Sequence, residues 1–203
     1  MSIVDNIDKI ADWVKEKICK GVLLKLPPDY DEENAQDDEN YEYKLVEPTV
    51  FKLYIPTKDK LLPINNFLTP SVCVRLLHGI DFRDKGNMSV QLLFSTWSAG
   101  DHNKDVFHLN KKDNKNYFNL DENSYDRNSE GWRDVWNFVD KTLRTLEESE
   151  KIGTLRIMKE KGIEFSPIKE QEAIPDFYPF WFACIEFSVE YNILRNKDFN
   201  DLL

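Results

Sequence analysis

The chain has 203 residues, a hydrophobic content of 41%, a charged content of 32% and a formal net charge of −10, with a pI near 4.9. That is enough apolar material for one sizeable core, read as a single domain over residues 1–203. The acidic balance, with no cluster of basic residues, excludes nucleic-acid binding driven by counterion release. No window approaches the roughly 18 consecutive apolar residues of a membrane span. The opening MSIVDNIDKIADW carries acids early and has no apolar stretch of secretory type, so a cytoplasmic protein without a membrane partner is expected.

Residues 2–20 have the pattern of an amphipathic helix. Ile3, Ile7, Ile10, Val14 and Ile18 recur at spacings of three and four, with Ala11 beside them. Ser2 and Asp5 are both candidate caps, and Gly21 is a natural stop. A short apolar run, residues 22–26, ends at Pro27-Pro28. The segment 29–43 that follows is acidic and almost free of apolar residues, the composition of a solvated loop. Its D-x-D element lacks the glycine and the terminal glutamate of a calcium loop. Residues 43–55, YKLVEPTVFKLYI, are strand material with Pro48 marking an edge or a break. The arms flanking the acidic segment are expected to pair as a long hairpin. Pro63, Asn65-Asn66 and Pro70 then mark irregular structure.

The strongest strand signal lies in residues 71–98. Val72, Val74 and Leu76 alternate with Cys73, Arg75 and Leu77, and Val90, Leu92, Phe94 and Thr96 alternate with Gln91, Leu93, Ser95 and Trp97. Turn-forming residues over 79–87 place a reversal between the two runs. Neither run has a wholly polar second face, which puts this hairpin at the centre of a sheet. Residues 99–129 form a second polar excursion, read as a long loop with scattered aromatics. A helix follows, with Asn128 or Ser129 as its cap and an apolar stripe of Trp132, Val135, Trp136, Val139, Leu143 and Leu146. It ends between Glu148 and Gly153. Short strands are expected over 154–158 and 162–165. The closing strand, 180–193, has one fully apolar face and a second face that turns polar halfway.

Motifs for catalysis are missing from the sequence. It has no glycine-rich phosphate loop, no G-x-S-x-G and no H-E-x-x-H. Cys19, Cys73 and Cys184 are widely spaced and form no ligand pair with His78, His102 or His108, which suits buried reduced thiols rather than a metal site. Glu186 and Glu190 share a strand face but lie about 13 Å apart at ~3.3 Å per residue, too far to share a proton. The expectation is therefore a protein without catalytic residues, cofactor or metal.

The elements add up to an α+β fold, an antiparallel or mixed sheet carrying two main amphipathic helices. Their order has a further implication. P-x-V-x-V-R-L-L-x-G at 70–79, V-x-L-L-F-x-T-W at 90–97, G-W-R-D-V-x-N at 131–137 and Y-P-F-W-F at 178–182 resemble, in sequence and order, the tail-terminator or tail-completion proteins of tailed phages, prophages and phage-like bacteriocin particles of Gram-positive-type hosts. The resemblance implies a homomeric ring, commonly a hexamer, that caps the tail tube, stops its growth and meets a neck, head-completion or sheath protein. It implies assembly in the bacterial cytoplasm and then a place in the virion or tail-like particle. No catalytic residue carries over. The residues put forward for contact with a basic neighbour are Asp31, Glu32, Glu33, Asp37, Asp38 and Glu39. The same charge supports an alternative reading, an acidic adaptor or inhibitor that occupies a basic protein surface.

Overall fold

Ser2 begins the first helix because its hydroxyl accepts the Asp5 N–H at 3.1 Å while the Asp5 carboxylate accepts the Ser2 N–H at 3.1 Å, a closed capping box. The Ser2 backbone N–H foremost, and the Ser2 hydroxyl after it, hold the Asp5 carboxyl below its ordinary value. The computed structural model describes residues 2–27, 44–56, 67–98, 109–112, 115–118, 131–168 and 177–192. Helix α1 (Ile3–Trp13) runs on into a π-helical stretch, Val14–Cys19. Gly21, at φ 73°, takes the left-handed turn that ends it. The Lys141 ammonium donates to the Ile18 and Lys20 carbonyls, at 3.1 and 3.3 Å, and so satisfies acceptors that the helix end leaves open. Ile7, Ile10, Ala11, Val14 and Ile18 are buried as the spacing predicts, whereas Ile3 is exposed on the first turn.

The long hairpin expected around the acidic segment is instead very short. Strands β1 (Leu24–Lys25) and β2 (Leu45–Val46) pair antiparallel over two residues each, extended by one bond from the Leu26 N–H to the Lys44 carbonyl. Pro27 and Pro48 explain the limit, since neither has an N–H to give to a ladder. Beyond Pro48 the chain changes partner. Strand β3 (Thr49–Lys52) pairs parallel with the start of β4 (Ser71–Asp81).

Strands β4 and β5 (Lys85–Trp97) form the expected hairpin, with a tighter reversal than the composition suggests. The strands run through Gly79 and Asn87. The turn is made at Phe82–Asp84, where Asp81 Oδ1 accepts the Arg83 N–H at 2.7 Å and the Phe82 N–H reaches the Lys85 carbonyl at 2.7 Å. A bulge interrupts the ladder between Leu76 and His78.

Within residues 99–129, expected as loop, the described residues include a small antiparallel ladder of β6 (Leu109–Lys112) and β7 (Lys115–Phe118). Asp113-Asn114, two turn-forming residue types, separate the strands in the sequence. After α2 (Trp132–Glu148) come β8 (Lys151–Ile152), β9 (Leu155–Ile157), β10 (Glu164–Pro167) and β11 (Phe180–Asn192). The main sheet has the order β3-β4-β5-β11-β9-β8, with β10 also on β11. Among the described residues only the β3–β4 pair is parallel.

The fold is thus α+β, with both helices against one face of a mixed sheet. On that inner face the register stacks Val72, Phe94 and Ala183 in one row, Val74, Leu92 and Ile185 in the next, then Leu76, Val90 and Phe187. Ile10, Val14, Val135, Phe138, Val139 and Leu146 close over them from the helices. Phe138 meets Phe94 edge-on, with ring centroids 5.0 Å apart. Burying each such side chain contributes roughly 1.5–3 kcal/mol.

The α2 stripe needs one correction. Val135, Val139 and Leu146 are buried as expected, and Trp136 and Leu143 are partly buried, but Trp132 is 43% exposed. Phe138 and Thr142 take the buried positions instead. Thr142 tolerates burial because its hydroxyl donates to the Phe138 carbonyl at 2.9 Å. The residue before the helix is Gly131, with no side-chain cap; Asn128 and Ser129 lie outside the described residues.

Candidate interaction surfaces

The four sequence pieces that carry the resemblance are scattered over about half the chain, and the fold brings three of them, 90–97, 131–137 and 178–182, together at one end of the sheet. Strand β5 ends at Trp97, and the next residue, Ser98, is where they meet. The Ser98 N–H donates to the Pro179 carbonyl at 3.0 Å, and the Trp181 indole N–H donates to the Ser98 carbonyl at 2.7 Å. The Lys25 ammonium reaches the Ser98 hydroxyl at 3.3 Å. Gly131 sits so close that a Cβ there would overlap the Ser98 carbonyl oxygen and crowd the Trp181 indole nitrogen. Next to this junction β4 begins, its Ser71 paired with Ser95, and the Thr69 and Ser95 hydroxyls are 2.7 Å apart. Around the junction Trp132, Phe177, Tyr178 and Phe180 expose large aromatic surface. Arg133 stacks over Trp132 at 5.4 Å, and Tyr178 packs edge-on against Trp181 at 6.2 Å.

At the opposite end of the same strands, roughly 40 Å away for 13-residue strands, is the β4–β5 tip. It exposes Leu77, Ile80 and Phe82. The first turn of α1 lies at this end, since the Asn6 amide approaches Met88 Sδ at 3.9 Å, and it exposes Ile3 and Val4. The protein therefore presents apolar side chains at both ends of its sheet. Scattered exposed apolar residues are ordinary, but grouped ones mark contact surfaces.

The outer face of the sheet, away from the helices, divides along its length. Its junction half holds Phe51, Cys73, Leu93 and Cys184 in one row and Thr49, Ser71, Ser95 and Phe182 in the row beyond. Its tip half is polar. Gln91 Nε2 donates to Glu186 Oε1 at 2.6 Å, and Glu190 accepts Lys85 at 3.4 Å and Arg156 at 3.5 Å. Glu186 and Glu190 thus serve separate contacts and do not form a pair, in line with their spacing. All three cysteines are buried. Burial pushes the Cys19 thiol up to about 12 and the Cys73 thiol up to about 11, which keeps both protonated and unreactive at neutral pH.

His78 is exposed on β4, while His102 and His108 lie outside the described residues, as do Asp31, Glu32, Glu33, Asp37, Asp38 and Glu39. Among the described residues no group of three or more His, Cys, Asp or Glu is placed to hold a metal, and no helix is long and apolar enough to cross a membrane. Composition did not single out Ser98 or Gly131. The one signal for them was position, each standing at the boundary of a motif piece. Arg75 and Gln91 were visible as polar breaks in apolar runs, but their alignment with Glu186 depends on strand register. No family model and no curated protein matches this chain.

Proposed function

We propose that the protein is a structural subunit that caps the end of a phage or phage-like tail tube as a homomeric ring, ending tube growth and presenting a platform to a neck or head-completion protein. The observation that carries this reading is the convergence at Ser98. Three of the four pieces whose order resembles tail terminators adjoin one another there, with Trp181 and Pro179 on one side and Gly131 on the other, and the first piece begins nearby at Ser71, opposite Ser95. The two apolar ends of the sheet support it further, because a terminator contacts a tube on one side and a successor on the other. Electrostatics adds an acidic complement, in Asp31, Glu32, Glu33, Asp37, Asp38 and Glu39, for a basic surface on a tube, sheath or neck protein.

Imaging of intact particles tests the proposal. One terminal ring with the symmetry of the tube is expected. Copies spread along the tube, or a strict monomer that binds a basic partner away from any tail, would replace this reading with the acidic adaptor.

A further inference from the structure

Strand β3 leaves the sheet abruptly. Its ladder with β4 ends where the Leu53 N–H donates to the Val74 carbonyl at 2.8 Å. Leu53 lies at φ 66°, left-handed backbone in a residue that is not glycine, and the Tyr54 N–H closes back on the Lys52 carbonyl at 2.8 Å. A three-residue turn of that hand is strained when its central residue carries a side chain. Its structural result is that β3 comes off β4 after four residues. Such backbone outliers cluster at sites of contact. From Arg75 to Ile80, β4 is left with β5 as its one ladder partner among the described residues.

That edge is a template for one more strand. Backbone groups alternate along a strand, so the Leu76 N–H and C=O face the side on which Val74 meets Leu53. Unpaired groups at an edge accept an incoming strand. Residues 75–80 include no proline and no lysine, the residue types that block exposed edges. The first turn of α1 forms a wall beside the edge. Asn6 sets this turn at the level of Met88, which pairs with Gly79. Val4 stands one turn before Asp8, whose carboxylate holds Lys52 of β3 at 2.6 Å. Val4, Leu53, Tyr54, Leu77 and Ile80 are all exposed around the edge. Two cations beside it are already engaged, Lys52 with Asp8 and Arg75 with Gln91 Oε1 at 3.1 Å.

We propose that β4 binds an extended segment of another protein, uncharged and apolar at alternate positions, as an added strand along residues 75–80. Backbone hydrogen bonds give such a complex its affinity, and side-chain contacts at alternate positions give it selectivity. The occupant's chemistry follows from a lining of apolar side chains and of cations that have partners. A second copy does not fit this edge. α1 packs on both β3 and β4, so antiparallel pairing of two copies across β4 would set two helices on one face above strands about 4.8 Å apart, whereas helix axes need about 8–10 Å. The bulge after Leu76 adds local twist, which a lone segment follows more readily than a rigid sheet edge does. The binding edge stands whether or not the protein caps a tube.

The probe that tests this is an end-capped octapeptide of alternating valine and threonine. It is titrated against the full-length protein by fluorescence anisotropy and located by hydrogen exchange. At peptide about tenfold above its Kd, exchange within residues 76–80 is expected to slow about tenfold. A fully N-methylated copy of the peptide, which has no backbone donors, is expected to bind at least about tenfold more weakly. The Leu77→Lys/Ile80→Lys variant is expected to weaken binding of the unmethylated peptide by a similar factor at an unchanged melting temperature, since lysine blocks an edge without entering the core. Binding is expected to be the same at low and high salt, because no ion pair contributes to it. Absence of binding at millimolar peptide, equal binding of the N-methylated copy, unchanged binding to the folded lysine variant, loss of binding at high salt, or protection confined to other residues would each overturn the assignment. Protection of residues 76–80 that rises with protein concentration in the absence of peptide would replace the segment with a second copy.

Discussion

The two ends of the sheet are built in different ways from equally apolar sequence. At the junction, distant segments are tied through backbone groups: Ser98 to Pro179, Trp181 to Ser98, and Gly131 pressed against the Ser98 carbonyl. At the tip, the chain reverses in three residues and is held by its own ladder and by Asp81. The junction depends on partners far along the chain, whereas the tip depends on residues next to it. Substitutions should therefore propagate from the junction and stay local at the tip.

The largest expected effect is from Phe94→Ala, which empties the junction half of the core beneath Phe138. A loss of about 3–5 kcal/mol is expected in denaturant unfolding, enough to remove most of a typical domain's stability. Phe187→Ala, farther toward the tip but fully inside, should cost a similar ~3–5 kcal/mol. Trp136→Ala should cost less than either, because that ring is only partly buried.

Alkaline pH offers a second way to separate the ends. Cys19 and Cys73 lie in the junction half, with thiols raised by burial to about 12 and about 11 from an ordinary 9.0. The folded state keeps these protons after the unfolded chain has lost them. Stability is therefore complete below about pH 9 and falls as pH rises toward 11–12. Hydrogen exchange is expected to show junction amides opening first above pH 9, and replacing both cysteines with alanine should flatten the decline.

Two glycines sharpen the comparison further. Gly131→Ala sets a methyl group against a backbone carbonyl and should cost ~1–3 kcal/mol. Gly86→Ala, near the tip, sets a methyl group against the ring of Tyr191, which is itself packed in the core, so a loss of the same order is expected in the same melting experiment. At the bottom of the scale, Phe82→Ser on the exposed turn should change stability by no more than about 0.5 kcal/mol. A larger loss there would show that the tip packs on something.

What the sequence made legible was local. The alternation in residues 71–98 and 180–193 located three long strands and their inner faces, because period-2 patterning reports directly on which side is buried. Ser2 was readable as a cap from its residue type, whereas Asp5, an alternative cap in the sequence, turns out to be its partner in one capping box. The parallel partnership of β3 was not, since a four-residue strand carries no mark of which neighbour it joins. Trp132 was misjudged because an apolar residue in a helix's first turn can overhang the end of the sheet, and Thr142 because its hydroxyl is satisfied inside the helix. The junction was hidden most fully. Most of its contacts end on backbone groups of residues far apart in the chain, and pattern analysis sees side-chain types alone.

The pairing of β5 with β11 has a consequence for biogenesis. These two strands share a thirteen-residue ladder, and the contacts across it span 83 residues at one end and 105 near the other. A ribosome delivers β5 long before its partner, and the β4–β5 hairpin closes quickly through its three-residue turn. Until residue 192 has emerged, the nascent chain carries the edge of β5, with Val90, Leu92 and Phe94 in line, open to any other strand it meets. The last strand among the described residues is the one that shields it, so slow translation or truncation within residues 180–192 should lead to aggregation rather than to a shorter folded protein.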